Sequence, residues 1–192
     1  MESMVSKAFE DAALLIAAVR NDRLLQAGVA EAARMALETL QKGEKLLFAG
    51  NGGSAAEAQH MAAEYVSRFK FDRPGLPALA ITTDTSALTA IGNDFGYEKV
   101  FARQIEALGR PGDLIFLSST SGRSPNILLA IEASRKLGMR SVLLTGSGYV
   151  AASPGPDLVL MVPSMETARI QEIHFVIGHT ICEIVEQRMF GS

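Results

Sequence analysis

Three observations predict an α/β fold with one parallel five-stranded sheet flanked by helices and two extra helices ahead of it. Short apolar runs suited to buried strands alternate with longer stretches of helical periodicity. Several of those runs end in turns rich in glycine and hydroxyl residues, as strands do where they feed a crossover helix of a parallel sheet. Hydrophobic residues make up 48% of 192, enough for one good core and one domain, 1–192, rather than two.

In chain order, Val5–Arg20 and Leu24–Lys42 carry alanine, leucine and charged residues at helical spacing, with a break at Asn21-Asp22. Residues 1–42 thus predict two helices that cover the sheet or a subunit interface; the apolar face of Ala12–Val19 suits either. The run Leu46-Leu47-Phe48-Ala49 predicts a strand that stops at Gly50-Asn51-Gly52-Gly53. Ser54 then reads as an N-cap, with Glu57 three residues on completing a capping box, for a helix reaching Glu64. The stiff loop Arg73-Pro74-Gly75-Leu76-Pro77 leads into a second strand, Ala78–Ile81. A short helix at Ala87–Ile91, a polar turn at Gly92–Gly96 and a helix at Glu98–Leu108 follow.

Leu114–Leu117 predicts the third strand, and Ser118–Ser124 sets five hydroxyls around one glycine. Pro125 stands at the first position of a helix to Leu137, where its missing N–H costs nothing. Ser141–Leu144 is the fourth strand, Thr145–Gly148 turns toward a short helix, and Leu158–Val162 is the fifth strand. Thr167 to about Met189 is the final helix.

A net charge of −3 without any lysine- or arginine-rich cluster argues against a nucleic-acid partner. The longest apolar run, Ala12–Val19, is too short to span a bilayer, and Glu10 and Asp11 precede it where a secretion signal wants positive charge. A cytoplasmic protein with no membrane partner is expected. The single cysteine, Cys182, excludes an internal disulfide and reads as a buried apolar residue.

The two glycine- and hydroxyl-rich turns each deliver free backbone N–H groups and the positive end of a helix dipole, which attract a phosphate. On the first of these helices His60 and Glu64 are four apart and share a face. Gly50-Asn51-Gly52-Gly53-Ser54-Ala55 also fits the loose G-x-G-x-x-A pattern of dinucleotide folds. The acidic residue expected about 20 positions on is missing, because Phe69-Lys70-Phe71 lies there. Neither turn carries the lysine of a nucleotide-triphosphatase loop. Of the histidines, His174 reads as a core residue, whereas Gln171 and His179, eight apart, can face one side of the last helix. His60, Glu64, Gln171 and His179 offer the nitrogen and oxygen donors of a zinc site, and Glu64 with His179 equally offers a base and an acid.

These segments together resemble the phosphoheptose isomerase family of the sugar isomerase (SIS) domain superfamily. The resemblance runs through Gly50–Glu64, Arg73–Asp84, Ala90–Gln104, Ser118–Leu128 and Ala168–Glu186, in order and over nearly the whole chain. It implies a single SIS domain and aldose–ketose isomerisation of sedoheptulose 7-phosphate to D-glycero-D-manno-heptose 7-phosphate, early in bacterial surface heptose and lipopolysaccharide synthesis. It implies a homotetramer whose sites neighbouring subunits complete. By resemblance Glu64 is the base and His179 the acid, and Ser119, Thr120, Ser121 and Ser124 hold the phosphate. Asn51, Gly52, Gly53, Ser54, Asn93 and Asp94 meet the sugar, and one zinc ion per subunit maps onto His60, Glu64, Gln171 and His179. Some relatives carry an aspartate where this chain has Ala168, so a contact made there is lost. A non-catalytic relative, a tetrameric scaffold associated with the replication initiator DnaA, shares the fold and is the alternative reading; it lacks the acid–base pair.

Overall fold

The computed structural model describes residues 1–151, 153 and 155–191. Helices α1 (Glu2–Asn21) and α2 (Arg23–Gln41) are hinged at Asp22, whose carboxylate accepts from the Leu25 N–H at 2.9 Å and so caps α2. Strand β1 (Leu46–Gly50), buried throughout, leads into α3 (Gly53–Val66), and β2 (Ala78–Ala80) into α4 (Thr85–Phe95). A 3₁₀ turn at Tyr97–Lys99 and α5 (Val100–Leu108) precede β3 (Leu114–Ser118) and α6 (Pro125–Lys136). Then come β4 (Arg140–Gly146), β5 (Leu158–Val162) and α7 (Thr167–Phe190).

The five strands are all parallel, in the order β2-β1-β3-β4-β5. Because alternate strand residues face opposite sides, Leu46, Phe48, Leu114 and Phe116 join a core beneath α2, α3 and α7. Leu47, Ala49, Ile115 and Leu117 join a second core beneath α5 and α6. From β1 the chain steps out to β2 and then returns past β1 to β3, so the strand order reverses between β1 and β3. A crevice opens at the carboxyl ends of such a pair, and here Gly50 is aligned with Ser118. The two phosphate-ready turns therefore stand side by side.

Three local expectations are corrected. No capping box forms: Gly52, at φ +57°, occupies the N-cap, Ser54 lies inside the helix, and Glu57 is buried against β3 and α7. The expected polar turn Gly92–Gly96 is helical through Phe95, since Asp84 caps α4 on the Ala87 N–H at 2.9 Å and only Gly96, at φ +91°, breaks it. Among the described residues no helix follows Gly148; Thr145 and Gly146 instead extend β4 by pairing with Met161 and Val162 of β5.

Of the two leading helices, α2 covers the sheet of its own chain, and Arg140 of β4 reaches it through the Met35 carbonyl at 3.0 Å and the Thr39 hydroxyl at 3.1 Å. Helix α1 buries only Leu15 and leaves Met4, Val5, Phe9, Leu14 and Ile16 exposed. Cys182 and His174 are both buried, as expected. Among the described residues no helix is long and apolar enough to cross a membrane.

Candidate active site

Asn51, Gly52, Gly53 and Ser54 from one turn and Ser118, Ser119, Thr120 and Ser124 from the other line an open cleft of about 300 Å³, closed on its third side by Thr167 and Gln171 of α7. Three helices, α3, α6 and α7, begin at this cleft. Helix starts carry unpaired N–H groups and partial positive charge, so the cleft is built for an anion although it contains no lysine or arginine. Its hydroxyls are organised: Ser119 Oγ and Ser124 Oγ are hydrogen-bonded to each other at 3.2 Å, and Ser121 Oγ accepts from the Arg123 N–H at 3.2 Å. Asn51 is locked by a reciprocal amide pair with Asn126, at 2.9 and 2.8 Å, and its oxygen also accepts from the Tyr97 hydroxyl at 3.1 Å.

Helices α3 and α7 run in the same direction, with Gly53 against Gln171 and Met61 against Gly178. A Cβ on Gly178 would stand 2.3 Å from the Met61 sulfur, so glycine there is what permits this close approach. Further along the groove His60, Glu64 and His179 converge, their ligand atoms all within 4.8 Å of one another. His60 Nε2 is 3.0 Å from His179 Nε2 and 3.3 Å from Glu64 Oε1. Two imidazoles and a carboxylate converging in this way form a nitrogen and oxygen donor set able to hold a metal ion.

Phe69 stacks on the His179 ring with centroids 5.6 Å apart, and Phe175 meets His60 edge-on at 5.5 Å. Phe69 is itself fixed from beneath. Glu186, buried in α7, accepts from the Phe69, Lys70 and Phe71 N–H groups at 3.0, 2.6 and 3.1 Å and from Arg73 Nε at 2.7 Å. Arg73 also donates to the Glu64 and Tyr65 carbonyls, each at 2.9 Å, satisfying the last turn of the helix that carries Glu64.

Of the residues named from sequence, Asn51, Gly52, Gly53, Ser54, Ser119, Thr120, Ser124 and Gln171 meet in the cleft, with Ser121 in the same turn. His60, Glu64 and His179 form the second cluster. Gln171 is seated against Gly53 and donates to Ser54 Oγ at 3.4 Å, eight residues or about 12 Å along α7 from His179. Asn93 and Asp94 lie on the exposed end of α4, bonded to each other at 2.8 Å and outside this cleft. Sequence reasoning missed Asn126, Tyr97, Phe69 and the buried placement of Glu57. Only Asn126 left a signal, as a polar residue directly after Pro125 in the first turn of the phosphate-facing helix.

A family model described as SIS domain matches residues 7–146. A phosphoheptose isomerase of Burkholderia pseudomallei (strain 1710b) is 51% identical over 188 residues, covering 98% of this chain and 95% of that protein. One from Roseiflexus sp. (strain RS-1) is 57% identical over 158 residues, covering 82% and 80%. Among solved structures, a phosphoheptose isomerase from Francisella tularensis superposes with a TM-score of 0.91 at 38% identity, covering 96% of this chain and 97% of that one. One from Neisseria gonorrhoeae gives 0.90 at 40%, covering 97% and 98%. Fold, paired turns and near-complete coverage at this identity agree: the chain belongs to the phosphoheptose isomerase family of SIS-domain enzymes.

Proposed function

We propose that this isomerase converts sedoheptulose 7-phosphate to D-glycero-D-manno-heptose 7-phosphate through a cis-enediol. One observation carries the reading: Glu64 and His179 meet in the α3–α7 groove whose other end is the hydroxyl-lined anion cleft. From Gly53 to His60 the groove runs seven residues, about 10 Å along α3, which suits an extended seven-carbon sugar with its phosphate at one end and its carbonyl at the other. Ser119, Thr120, Ser121 and Ser124 hold the phosphate, while Asn51, Gly52 and Gly53 orient the chain of hydroxyls.

At the far end the Glu64 carboxylate takes a proton from C1 while His179 gives one to the C2 carbonyl oxygen, leaving the enediol. The second half reverses these roles. The O1 hydroxyl releases its proton, C2 receives one, and the carbonyl now stands at C1. With Oε1 of Glu64 turned toward His60, its second carboxylate oxygen is the one available to the substrate. His60, Glu64 and His179 would hold a zinc ion, which would supply a Lewis acid for the sugar carbonyl or would order the site; Gln171, seated against Gly53, stands with the anion cleft instead.

The same reading makes the enzyme a cytoplasmic homotetramer. It is supported by the exposed apolar residues of α1 and by Asn93 and Asp94, which lie outside their own chain's cleft and are available to a neighbour's. The scaffold alternative is not favoured, because the acid–base pair it lacks is present and assembled here.

Two tests arise directly. Ser119→Ala and Ser124→Ala each remove a hydroxyl from a charged phosphate, an interaction of about 1.5–3 kcal/mol. KM for sedoheptulose 7-phosphate should therefore rise roughly 10- to 100-fold with kcat little changed; an unaltered KM would place the phosphate elsewhere. Metal is tested separately, by conversion and thermal melting after chelation and after adding zinc. Zinc should raise the melting midpoint of the wild type, leave that of His60→Ala unmoved, and restore activity lost to the chelator. Conversion untouched by the chelator would take zinc out of the chemistry.

A further inference from the structure

Glu57 and His174 are buried polar residues that the reaction does not use, and they face each other across the α3–α7 interface. Glu57 Oε2 and His174 Nδ1 are 3.9 Å apart, and neither has a hydrogen-bond partner. Their other atoms are tied to strands β3 and β4. Ser118 Oγ at the end of β3 donates to Glu57 Oε1 at 3.5 Å, and His174 Nε2 stands 3.5 Å from the Thr145 carbonyl of β4.

That carbonyl can only accept, so the imidazole proton sits on Nε2 and Nδ1 is left as an acceptor. An acceptor facing a carboxyl group inside the protein calls for that carboxyl to carry its proton. Burial favours this state on both sides: it pushes the Glu57 carboxyl up to about 8, despite the Ser118 hydroxyl, and the His174 imidazole down to about 4, despite the Thr145 carbonyl. The groups packed on Glu57 from β3 and α7 are Ser118 and His174, and among the described residues no cation faces it.

We propose that Glu57, as a neutral carboxylic acid, and His174 are a positioning pair that sets the spacing of α3 against α7. That spacing brings His60 and Glu64 of one helix to His179 of the other. Glu57 and Glu64 are seven residues apart, two turns of one helical stripe, and Met61 on the same stripe packs against Gly178. A shift of α3 at Glu57 is thus passed along a rigid stripe to the base. Ionised, Glu57 would be a buried charge without a counter-ion, and the two helices would part to admit water. The inference deepens the isomerase reading and rests on it for its rate measurements, whereas its stability measurement stands alone.

The test compares wild type with Glu57→Gln, Glu57→Ala and His174→Gln, measuring kcat and melting midpoint from pH 5 to pH 9. Glutamine at 57 keeps a donor for Nδ1 without a titrating proton. Its kcat at pH 6 should stay within about threefold of wild type, because the amide keeps the volume of the side chain and a neutral donor facing Nδ1. Glu57→Ala, and His174→Gln, which keeps the donor to Thr145 but loses the Nδ1 acceptor, should each lower kcat tenfold or more while the folded assembly persists. Folded, Glu57 binds its proton up to about pH 8, while unfolded it releases it near 4.5, so wild-type stability declines as pH rises across that window. The melting midpoint of Glu57→Gln should lack that decline. Superposable pH curves for wild type and Glu57→Gln, full kcat in Glu57→Ala, or loss of kcat in Glu57→Gln equal to that in Glu57→Ala would each overturn the proposal. Failure of every variant and the wild type to isomerise the sugar, with the stability difference present, would instead count against the substrate reading alone.

Discussion

Glu64→Gln should lower kcat for sedoheptulose 7-phosphate by about 10²- to 10⁴-fold, the usual contribution of a positioned general base. The amide occupies the same volume, so the half-buried position on α3 and the backbone bond from the Glu64 carbonyl to Arg73 are unaffected. Oligomeric state and melting midpoint in the metal-free protein should therefore match the wild type. The loss should fall on kcat and kcat/KM together, since the carboxylate acts on a proton that moves only in the transition state. A rise in KM alone would make Glu64 a binding residue, and full activity would sink the mechanism. Solvent-derived deuterium entering at C2 of the product gives a second reading, because its rate should fall in step with turnover.

The second large effect is on stability. Glu186→Ala should destabilise the fold by about 3–5 kcal/mol, the cost of stripping one partner from a buried ion pair. Both side chains of the Arg73–Glu186 pair are 1% exposed, and the carboxylate is also the acceptor for three backbone N–H groups. Its removal orphans all of them together with the guanidinium. For a chain of this size, about 2–4 °C per kcal/mol makes the melting midpoint drop by about 10 °C. Activity should fall as well, because the freed loop no longer holds Phe69 on His179 and Arg73 no longer anchors the end of α3. The pair also carries an acid signature. Although desolvation opposes it, the backbone N–H groups and Arg73 hold the Glu186 carboxyl below its ordinary range. A group with a depressed folded value contributes stability above the unfolded value, near 4.5, and loses it as pH falls through the folded one. Wild type should therefore lose stability below about pH 4.5 more steeply than Glu186→Gln; parallel acid curves would show that the pair is not what the acid breaks.

Much of this architecture was legible before any coordinates, for reasons local to the chain. Strands buried on both faces are continuous apolar runs, and β1 and β3 begin within a residue of where those runs do. Asp84 shows the limit: α4 starts at its cap, yet its far end depended on how Gly96 was seated, not on how polar Gly92–Asp94 looked. Glu57 shows a deeper one. Ser54 and Glu57 have capping-box spacing, but the side chain can serve the helix start only if it stays at the surface, and the stripe on which it lies was claimed by β3 and α7.

The chain by itself determined which groups have chemistry to offer: two glycine- and hydroxyl-rich helix starts, a histidine and a glutamate one turn apart on α3, and a glutamine and a histidine two turns apart on α7. Helical and strand periodicity act over a few residues, so such placements are written in spacing alone. Only the tertiary structure decided that His60 meets His179 from 119 residues away, that Asn51 is clamped by Asn126 from 75 away, and that Glu57 lies dry opposite His174. Those contacts depend on the reversal of strand order between β1 and β3, which sets the two turns side by side, and on Gly178, which lets α7 close on Met61. Strand order and helix separation come from packing the whole core at once, and no window of sequence contains them.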